Sequence, residues 1–289
     1  MTDQAQGLRK LLHQKHSLAT KQTRIITVTS GKGGVGKSNF TLNFALSLQQ
    51  EGYRVLVFDA DIGMANIDVL MGVHPPFSLY HLIKRQKSLR DIICFGQNGL
   101  MFIAGGSGFH DMLNLSEADL EYFSEEINQL NGDVDFVLFD TGAGLSKETL
   151  NFILAAQETI IVTTPEPTSI TDAYAVIKMA SQMDNEIDFK LVVNRVSNQK
   201  EGRHTADKIT MVARQFLDVE VSTLGFVSDD SHVVKAVKKQ IPFTIAYPNC
   251  AASRNIRELT YVFLRQRKAR NQQASGIGGF LRRMVNALK

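Results

Sequence analysis

The stretch Gly31-Lys32-Gly33-Gly34-Val35-Gly36-Lys37-Ser38, followed by Asn39, decides the fold of this chain. It fits the phosphate-binding pattern G-x-x-x-x-G-K-[ST]. An apolar run at 25–29 predicts a strand before it, and apolar periodicity near 38–51 predicts a helix after it. A strand, a glycine-rich turn and a helix start converge backbone N–H groups on phosphate oxygens. We therefore expect a nucleotide site, with Lys37 at the β/γ-phosphates and Ser38 on Mg²⁺.

Strand-like and helical stretches alternate outward from this loop. Seven apolar runs predict strands at 25–29, 54–58, 100–104, 134–139, 158–163, 189–193 and 223–227. Helical patterns lie near 38–51, 116–130, 146–156, 169–183, 202–217 and 230–239. Continuous apolar runs suit strands that are covered on both faces. We expect an α/β fold: a doubly wound, mostly parallel sheet of about seven or eight strands with helices on both faces, a P-loop NTPase architecture.

Composition excludes several classes of protein. The 289 residues are 44% hydrophobic and 21% charged, which suits one large domain with appendages. No apolar run approaches the ~18 residues of a membrane span, and no secretory signal pattern opens the chain. The two cysteines, Cys94 and Cys250, have no metal spacing, which disfavours a disulfide scaffold and an iron–sulfur reductase. We expect a cytoplasmic protein.

Charge divides the chain into segments. The first 24 residues hold five basic residues and one acidic residue, and the last 31 hold seven basic residues and no acidic one. The stretch between them carries a net charge of −8 within a total of +3. We expect four units: a leader at 1–24, an ATPase domain at 25–264, a polar linker at 265–276 and a terminal helix at 277–289. Basic ends indicate contact with an anionic partner, although they can also simply keep tails soluble.

Aspartates follow two of the apolar runs. Asp59 and Asp61 come directly after 55–58, and Asp140 comes directly after 136–139. Because the carboxyl ends of parallel strands share one edge, all three belong near the phosphate loop. Asp140 suits a carboxylate that holds Mg²⁺ through water. Asp61 suits one that orients the attacking water and also reaches the metal through water. Asp59 suits a turn cap or a switch residue. The alternative is that they are solvated turn residues.

The C-terminal segment predicts an amphipathic helix. Its apolar residues follow a spacing of i, i+3, i+4, i+7, i+8 and i+11: Ile277, Phe280, Leu281, Met284, Val285 and Leu288. A short basic amphipathic helix at a chain end is typical of a reversible anchor on an anionic membrane surface. The alternative is a helix docked on the protein's own core. The two interpretations are compatible if the helix docks on the core in a monomer and is released to the membrane in a dimer.

These motifs together resemble the deviant P-loop ATPases of the MinD/ParA class. The resemblance rests on Lys32 in the loop, on 59–68 and on 140–144. The segment 163–169 with Asp172 is similar to the branch of flagellar-number regulators called FlhG or FleN. The resemblance implies a slow Mg²⁺-dependent ATPase that binds ATP and ADP, forms an ATP-dependent homodimer and resides reversibly on the cytoplasmic face of the cell membrane.

The resemblance also assigns roles to individual residues. Lys32 would reach the phosphates of the partner's nucleotide across the dimer, and Asp172 would pair with Lys32 when nucleotide is absent. Asn194, with Arg195 beside it, would recognise adenine, because an amide presents both a donor and an acceptor. A turn asparagine is the alternative. Ser228 stands where relatives often carry proline, which leaves the second side of the base pocket open.

The N-terminal residues Asp3-Gln4-Ala5-Gln6-Gly7-Leu8-Arg9 resemble the D-Q-A-x-x-L-R activator motif of FlhG proteins. The resemblance implies docking on the GTPase FlhF, with Leu8 and Arg9 in contact and Gln4 nearest the chemistry, and it adds flagellar basal-body (C-ring) components as partners. A disordered basic leader is the alternative. A ParA-type DNA-partitioning ATPase is a second hypothesis for the whole chain, disfavoured by the acidic middle. A third is an ATP-binding scaffold without turnover.

Overall fold

The computed structural model describes residues 23–61, 66–105, 122, 125–156, 158–266 and 276–288. For 281, 282 and 285–288 it describes the backbone alone. The expected N-terminal activator residues Gln4, Leu8 and Arg9 lie outside the described residues, as does most of the expected linker.

Eight strands form a single sheet. They are β1 Arg24–Ser30, β2 Val55–Ala60, β3 Cys94–Phe95, β4 Met101–Ile103, β5 Phe136–Ala143, β6 Glu158–Thr163, β7 Asp188–Val196 and β8 Val221–Ser228. Their order is β3-β4-β2-β5-β1-β6-β7-β8, and every neighbouring pair is parallel except β3 with β4. The carboxyl ends of β1, β2 and β5 therefore meet at one edge, where the phosphate loop begins.

Helices connect and flank these strands. They are α1 Lys37–Gln50, α2 Ile67–Met71, α3 Leu79–Ile83, α4 Leu89–Ile92, α5 Lys147–Ala155, α6 Pro167–Met183, α7 Gln199–Leu217, α8 Ser231–Lys238, α9 Phe243–Ala246, α10 Ala251–Arg265 and α11 Ile277–Leu288. A helical turn at 125–128 belongs to the stretch predicted at 116–130.

The predicted doubly wound α/β sheet is confirmed, with local differences. The seven predicted strands match β1, β2 and β4–β8 within a few residues. The two-residue edge strand β3 was not expected, because two residues carry no periodicity. The helix α10 was also missed, and its burial of Ile256, Leu259 and Phe263 shows a helical stripe at i, i+3 and i+7.

The hydrophobic core has a layer on each face of the sheet. On one face, α1 and α10 pack together over the centre of the sheet, and Phe44 of α1 meets Phe263 of α10 edge to face at 5.2 Å. On the other face, α6 and α7 cover β6–β8, while α5 and α11 cover the middle strands. The continuous apolar runs of β2 and β5 are buried because both faces are covered.

The C-terminal helix α11 docks on this core. Ile277, Phe280 and Met284 are buried. The ring of Phe280 stacks on that of Phe139 at 4.6 Å. The guanidinium of Arg283 donates to the carbonyl of Ala155, at the end of α5, at 3.0 and 2.7 Å. The structure therefore shows the docked alternative for these residues, in which part of the stripe covers the protein's own aromatic residues.

The side chains of Leu281, Val285 and Leu288, which complete the expected stripe, lie outside the described part of the chain. Within the described ranges, no helix has the length and apolar character that crossing a bilayer requires.

Candidate functional site

The phosphate loop joins β1 to α1 in a conformation that needs glycine. Gly34 and Gly36 have φ angles of 80° and 91°, in the left-handed region. A Cβ atom added to Gly36 would lie 2.4 Å from the amide nitrogen of Asn194, and one on Gly31 would lie 2.2 Å from the backbone carbon of Asp172. Both distances are shorter than a van der Waals contact, so the neighbouring elements leave no room for a side chain at Gly31 or Gly36. The loop wraps the start of α1, whose first N–H groups have no helical acceptor.

A buried ion pair lies at the foot of the loop. The ammonium of Lys37 is 2.9 Å from Oδ1 of Asp140, and their side chains are 6% and 1% exposed. The hydroxyl of Thr41, one turn further along α1, donates to the same oxygen at 2.7 Å. Oδ2 of Asp140 is buried and has no hydrogen-bond partner among the described residues. A buried carboxylate oxygen with this free capacity suits a metal-bound water.

Asp59 and Asp140 lie side by side, because β2 and β5 pair them in register. The carboxylate of Asp59 accepts backbone N–H bonds from Asn66 at 2.9 Å, Ile67 at 3.0 Å and Asp61 at 3.3 Å. Burial, and then the charge of Asp140, raise the pKa of Asp59 to about 7 although these bonds oppose the shift. Asp59 thus ties the start of α2 to the edge of the sheet beside the phosphate loop.

Asp61 lies between the ends of β2 and β5. A Cβ atom added to Gly142 would be 3.6 Å from Oδ1 of Asp61, so the carboxylate of Asp61 reaches the last residues of β5, just beyond Asp140. The N–H of Gly144, directly after β5, donates to the carbonyl of Ser30 at 2.8 Å, which joins the end of β5 to the start of the phosphate loop. The structure therefore brings Asp61, Asp140 and the loop to one edge, while 62–65 lie outside the described residues.

Lys32 projects from the loop toward the start of α6. Its ammonium is 2.9 Å from Oε2 of Glu166 and 2.9 Å from the hydroxyl of Thr168. The expected pairing of Lys32 with Asp172 is not observed. Asp172 instead lies with its backbone against Gly31, and Glu166 and Thr168, one turn nearer the helix start, receive the ammonium. Lys32 lowers the pKa of Glu166 through this hydrogen bond and its charge.

The expected adenine residues, Asn194 and Arg195, lie at the carboxyl end of β7. The side-chain amide of Asn194 donates to the carbonyl of Val35 at 2.8 Å, so Asn194 touches the phosphate loop directly. Arg195 is exposed and left-handed, with φ of 57°. At the end of β8, Ser228 donates its backbone N–H and its hydroxyl to Oδ1 of Asn255, at 3.1 and 2.8 Å. The ends of β7 and β8 therefore flank the loop on the side away from Asp61.

Two further predicted residues stand in the first turn of α1. The ammonium of Lys37 lies 3.4 Å from the hydroxyl of Ser38, the next residue of the loop. Asn39 contributes a carbonyl that accepts from the amide of Asn43 at 2.8 Å. Sequence reasoning missed Thr41, whose spacing of four residues from Lys37 is the signal that could have found it.

Comparison with known proteins supports this geometry. The family model described as the CobQ/CobB/MinD/ParA nucleotide binding domain matches residues 26–243, which include the phosphate loop and the strand-end aspartates.

Two curated relatives cover most of the chain. Antiactivator FleN of Pseudomonas aeruginosa is 38% identical over 230 residues, covering 80% of this chain and 82% of that protein. The flagellum site-determining protein YlxH of Helicobacter pylori is 36% identical over 296 residues, covering 100% of both. The predicted resemblance to MinD/ParA proteins and to FleN is confirmed.

Solved structures agree on the fold. The cell division ATPase MinD of Pyrococcus furiosus superposes with a TM-score of 0.69 at 24% identity, covering 84% of this chain and 99% of that one. The septum site-determining protein MinD of Pyrococcus horikoshii, complexed with Mg-ADP, gives a TM-score of 0.67 at 26% identity over 82% and 94%.

Proposed function

This chain belongs to the CobQ/CobB/MinD/ParA family of nucleotide-binding domains, and we propose that it is an ATP-dependent switch that controls flagellar number or placement. In this proposal ATP drives homodimerisation, the dimer binds the cytoplasmic face of the membrane, and slow hydrolysis reverses both steps. The relative named as a flagellum site-determining protein supports the biological role, and so does the similarity to the antiactivator FleN.

The observation that carries the nucleotide proposal is the Lys37–Asp140 pair with its orphaned Oδ2. The residues present fit Mg²⁺: Ser38 offers a hydroxyl ligand, and Asp140 would hold the ion through water. When bound, Mg²⁺ supplies neutralisation of phosphate charge. When nucleotide binds, the ammonium of Lys37 would exchange the carboxylate of Asp140 for the phosphates, so one anionic partner replaces another. The loop N–H groups and the start of α1 hold the remaining phosphate charge.

Hydrolysis requires an oriented water more than covalent help from the protein. Asp61 is the carboxylate we assign to that water, because it stands at the same edge as Asp140 and is joined to the loop through residues 142–144. Replacement of Asp61 by alanine should abolish ATP turnover and preserve ATP binding. Equal turnover in the variant and the parent would refute the assignment.

Lys32 is the residue we assign to ATP-dependent assembly. A cation supplied across a dimer stabilises phosphate charge as an arginine finger does. Nucleotide shifts a monomer–dimer balance only if the dimer binds it better, and a contact in trans provides that difference. Lys32→Ala should therefore lose dimerisation with a non-hydrolysable ATP analogue while keeping ADP binding. A Lys32→Ala dimer of unchanged stability in analytical ultracentrifugation would contradict this role.

Membrane binding is assigned to α11. The docked helix buries Ile277, Phe280 and Met284, which are the apolar residues that a bilayer would otherwise receive. Docking and insertion thus compete for the same side chains, and dimerisation would favour insertion by presenting two helices at once. Sedimentation of the full chain with anionic vesicles, with ADP and then with the ATP analogue, tests the switch. Nucleotide-independent binding, or no binding, would overturn it.

The N-terminal segment is assigned to activation of FlhF, with Gln4, Leu8 and Arg9 as the contacting residues, on the resemblance of residues 3–9 to the activator motif. C-ring components are the further partners of this proposal. A peptide of residues 1–24 should stimulate GTP turnover by FlhF, and one with Gln4→Ala should not. The absence of stimulation by the parent peptide would remove this role from the chain.

A further inference from the structure

A basic surface segment lies apart from the nucleotide site. Residues 84–90, which we call the basic segment, contain Lys84, Arg85, Lys87 and Arg90 and no acidic residue. Lys84, Arg85 and Arg90 are exposed, and Lys87 is half-buried. The basic segment therefore carries a local charge of +4 within a stretch, residues 25–258, whose net charge is −8.

The fold holds the basic segment on the surface. Leu82 and Ile83 before it, and Leu89 within it, are buried anchors. Arg85 has φ of 56°, so the chain leaves α3 there. The carboxylate of Asp91 accepts from the backbone N–H and the hydroxyl of Ser88, at 3.0 and 2.8 Å, and caps α4.

Among the residues that the structure describes, no ion pair joins Lys84, Lys87 or Arg90 to a carboxylate, and the charge of Lys87 is only a minor cause of the lowered pKa of Asp91. These three cations are therefore available to an external anion.

The cations of this segment lie over aromatic rings. The ammonium of Lys87 is 4.2 Å from the ring centre of Phe77, and that of Lys84 is 5.7 Å from the ring centre of Tyr80. Aromatic rings beside lysine and arginine are the composition of surfaces that meet lipid headgroups. Binding of single-stranded nucleic acid instead needs open ring faces for stacking, and here the chain's own cations cover these faces.

The basic segment and α11 lie on one flank of the molecule. Leu82 and Leu89 belong to the same core cluster as Phe280 of α11. The helical turn at 125–128 contacts both elements: Oε2 of Glu126 accepts from the N–H of Leu89 at 2.9 Å, and a Cβ atom on Gly278 would lie 3.3 Å from Oδ1 of Asn128. When α11 is released, it therefore leaves the body next to the basic segment.

We propose that Lys84, Arg85, Lys87 and Arg90 form a second, electrostatic contact with an anionic bilayer, which acts together with α11. This inference rests on the proposed membrane function and deepens it. One short amphipathic helix binds marginally, and stable residence needs a second signal such as a polybasic patch. Each cation near an anionic surface raises the partition coefficient by about fivefold. The contact should weaken with salt, because headgroup attraction falls off within a Debye length.

The test compares two full-length variants with three cations removed from each. Lys84→Gln, Lys87→Gln and Arg90→Gln neutralise the basic segment. Lys235→Gln, Lys238→Gln and Arg265→Gln are the matched control, because these exposed residues lie on α8 and α10, which pack on the other face of the sheet. Sedimentation with the ATP analogue measures partitioning onto phosphatidylcholine vesicles with 0 or 30% phosphatidylglycerol.

We expect the basic-segment variant to lose roughly ten- to a hundredfold in partitioning onto the anionic vesicles, and the control variant to behave as the parent. Equal binding by both variants and the parent overturns this inference alone and leaves the membrane switch intact. Failure of the parent to bind vesicles overturns the proposed function, and this inference with it. A basic-segment variant that loses binding to a DNA duplex but not to vesicles also overturns it and assigns the segment to nucleic acid.

Discussion

The ammonium of Lys32 is held by Glu166 of its own chain, 2.9 Å from Oε2. The same ammonium is the group that we assign to a phosphate contact across the dimer. One cation cannot serve both partners at once, so the contact with Glu166 must break before Lys32 acts in trans. The pair is exposed, and exposed ion pairs are weak, so the restraint is small and readily reversed.

Release of this restraint should favour the dimer. We expect Glu166→Gln to lower the concentration at which the ATP analogue produces dimers by about two- to threefold, as the loss of a weak surface ion pair allows. Asp172→Asn, which removes a carboxylate that does not contact Lys32 in this structure, is the matched comparison. Analytical ultracentrifugation gives both midpoints. A larger effect at Asp172 than at Glu166 would show that the contact seen here is not the one that matters.

The buried pair of Lys37 and Asp140 makes nucleotide-free stability depend on the phosphate loop. Lys37→Ala leaves a carboxylate that is 1% exposed without its cation, and loss of one partner of a buried pair costs about 3–5 kcal/mol. We expect urea unfolding of the nucleotide-free variant to show a loss of that order. Lys37→Ala combined with Asp140→Asn removes the uncompensated charge and should recover much of it. A double variant as unstable as the single one would mean that the charge is not the cause.

Asp59 should make the stability of the nucleotide-free chain fall as pH rises. Its pKa is about 7 in the folded chain and 3.8 in the unfolded reference. Between these values the folded state keeps a proton that the unfolded state has lost. The stabilisation that the raised pKa of Asp59 gives the folded state is therefore complete below pH 4. It falls by up to about 1.4 kcal/mol per pH unit and is lost as pH rises through 7.

Asp59→Asn tests this dependence, because asparagine keeps an oxygen acceptor for the N–H groups of Asn66 and Ile67 but has no acidic proton. Its free energy of unfolding relative to the parent should rise between pH 5 and pH 7. Urea titrations at pH 5, 6, 7 and 8 measure the difference in free energy of unfolding between variant and parent. A difference that is constant with pH would exclude Asp59 as the source of the pH dependence.

The sequence was informative wherever chain direction fixes geometry. Parallel strands bring their carboxyl ends to one edge, so the positions of Asp61 and Asp140 directly after apolar runs were enough to place them near the phosphate loop. The partner of Lys32 was predicted wrongly. Glu166 and Asp172 both lie near the start of α6, and which carboxylate a long, exposed side chain reaches depends on rotamers that no sequence pattern encodes.

The C-terminal stripe was ambiguous for another reason. An apolar stripe has the same spacing whether it covers a bilayer or a protein core, so periodicity predicted the helix α11 but not its surroundings. Its docking depends on Phe139 and Phe152, which are distant in sequence and become its neighbours only through the sheet. The short helices α2–α4 were missed because four or five residues are too few for a periodic signal.

The position of α11 can be fixed by a disulfide between it and the body. A Cβ atom added to Gly278 would lie 3.9 Å from Cγ of Asn128, so these two positions face each other and are the pair chosen for the cysteines. Cys94 and Cys250 are free thiols and would be replaced by serine to leave one pair.

In this background, Gly278→Cys with Asn128→Cys should bind anionic vesicles with the ATP analogue only after reduction. The physical reason is that Ile277, Phe280 and Met284 cannot enter a bilayer while the bridge keeps them on the core. Each single cysteine variant is the control and should bind equally with and without reductant. Sedimentation measures the bound fraction, and mass spectrometry confirms the bridge. If the oxidised double variant bound as well as the reduced one, membrane residence would have to come from the docked form, and release of α11 would not be the switch.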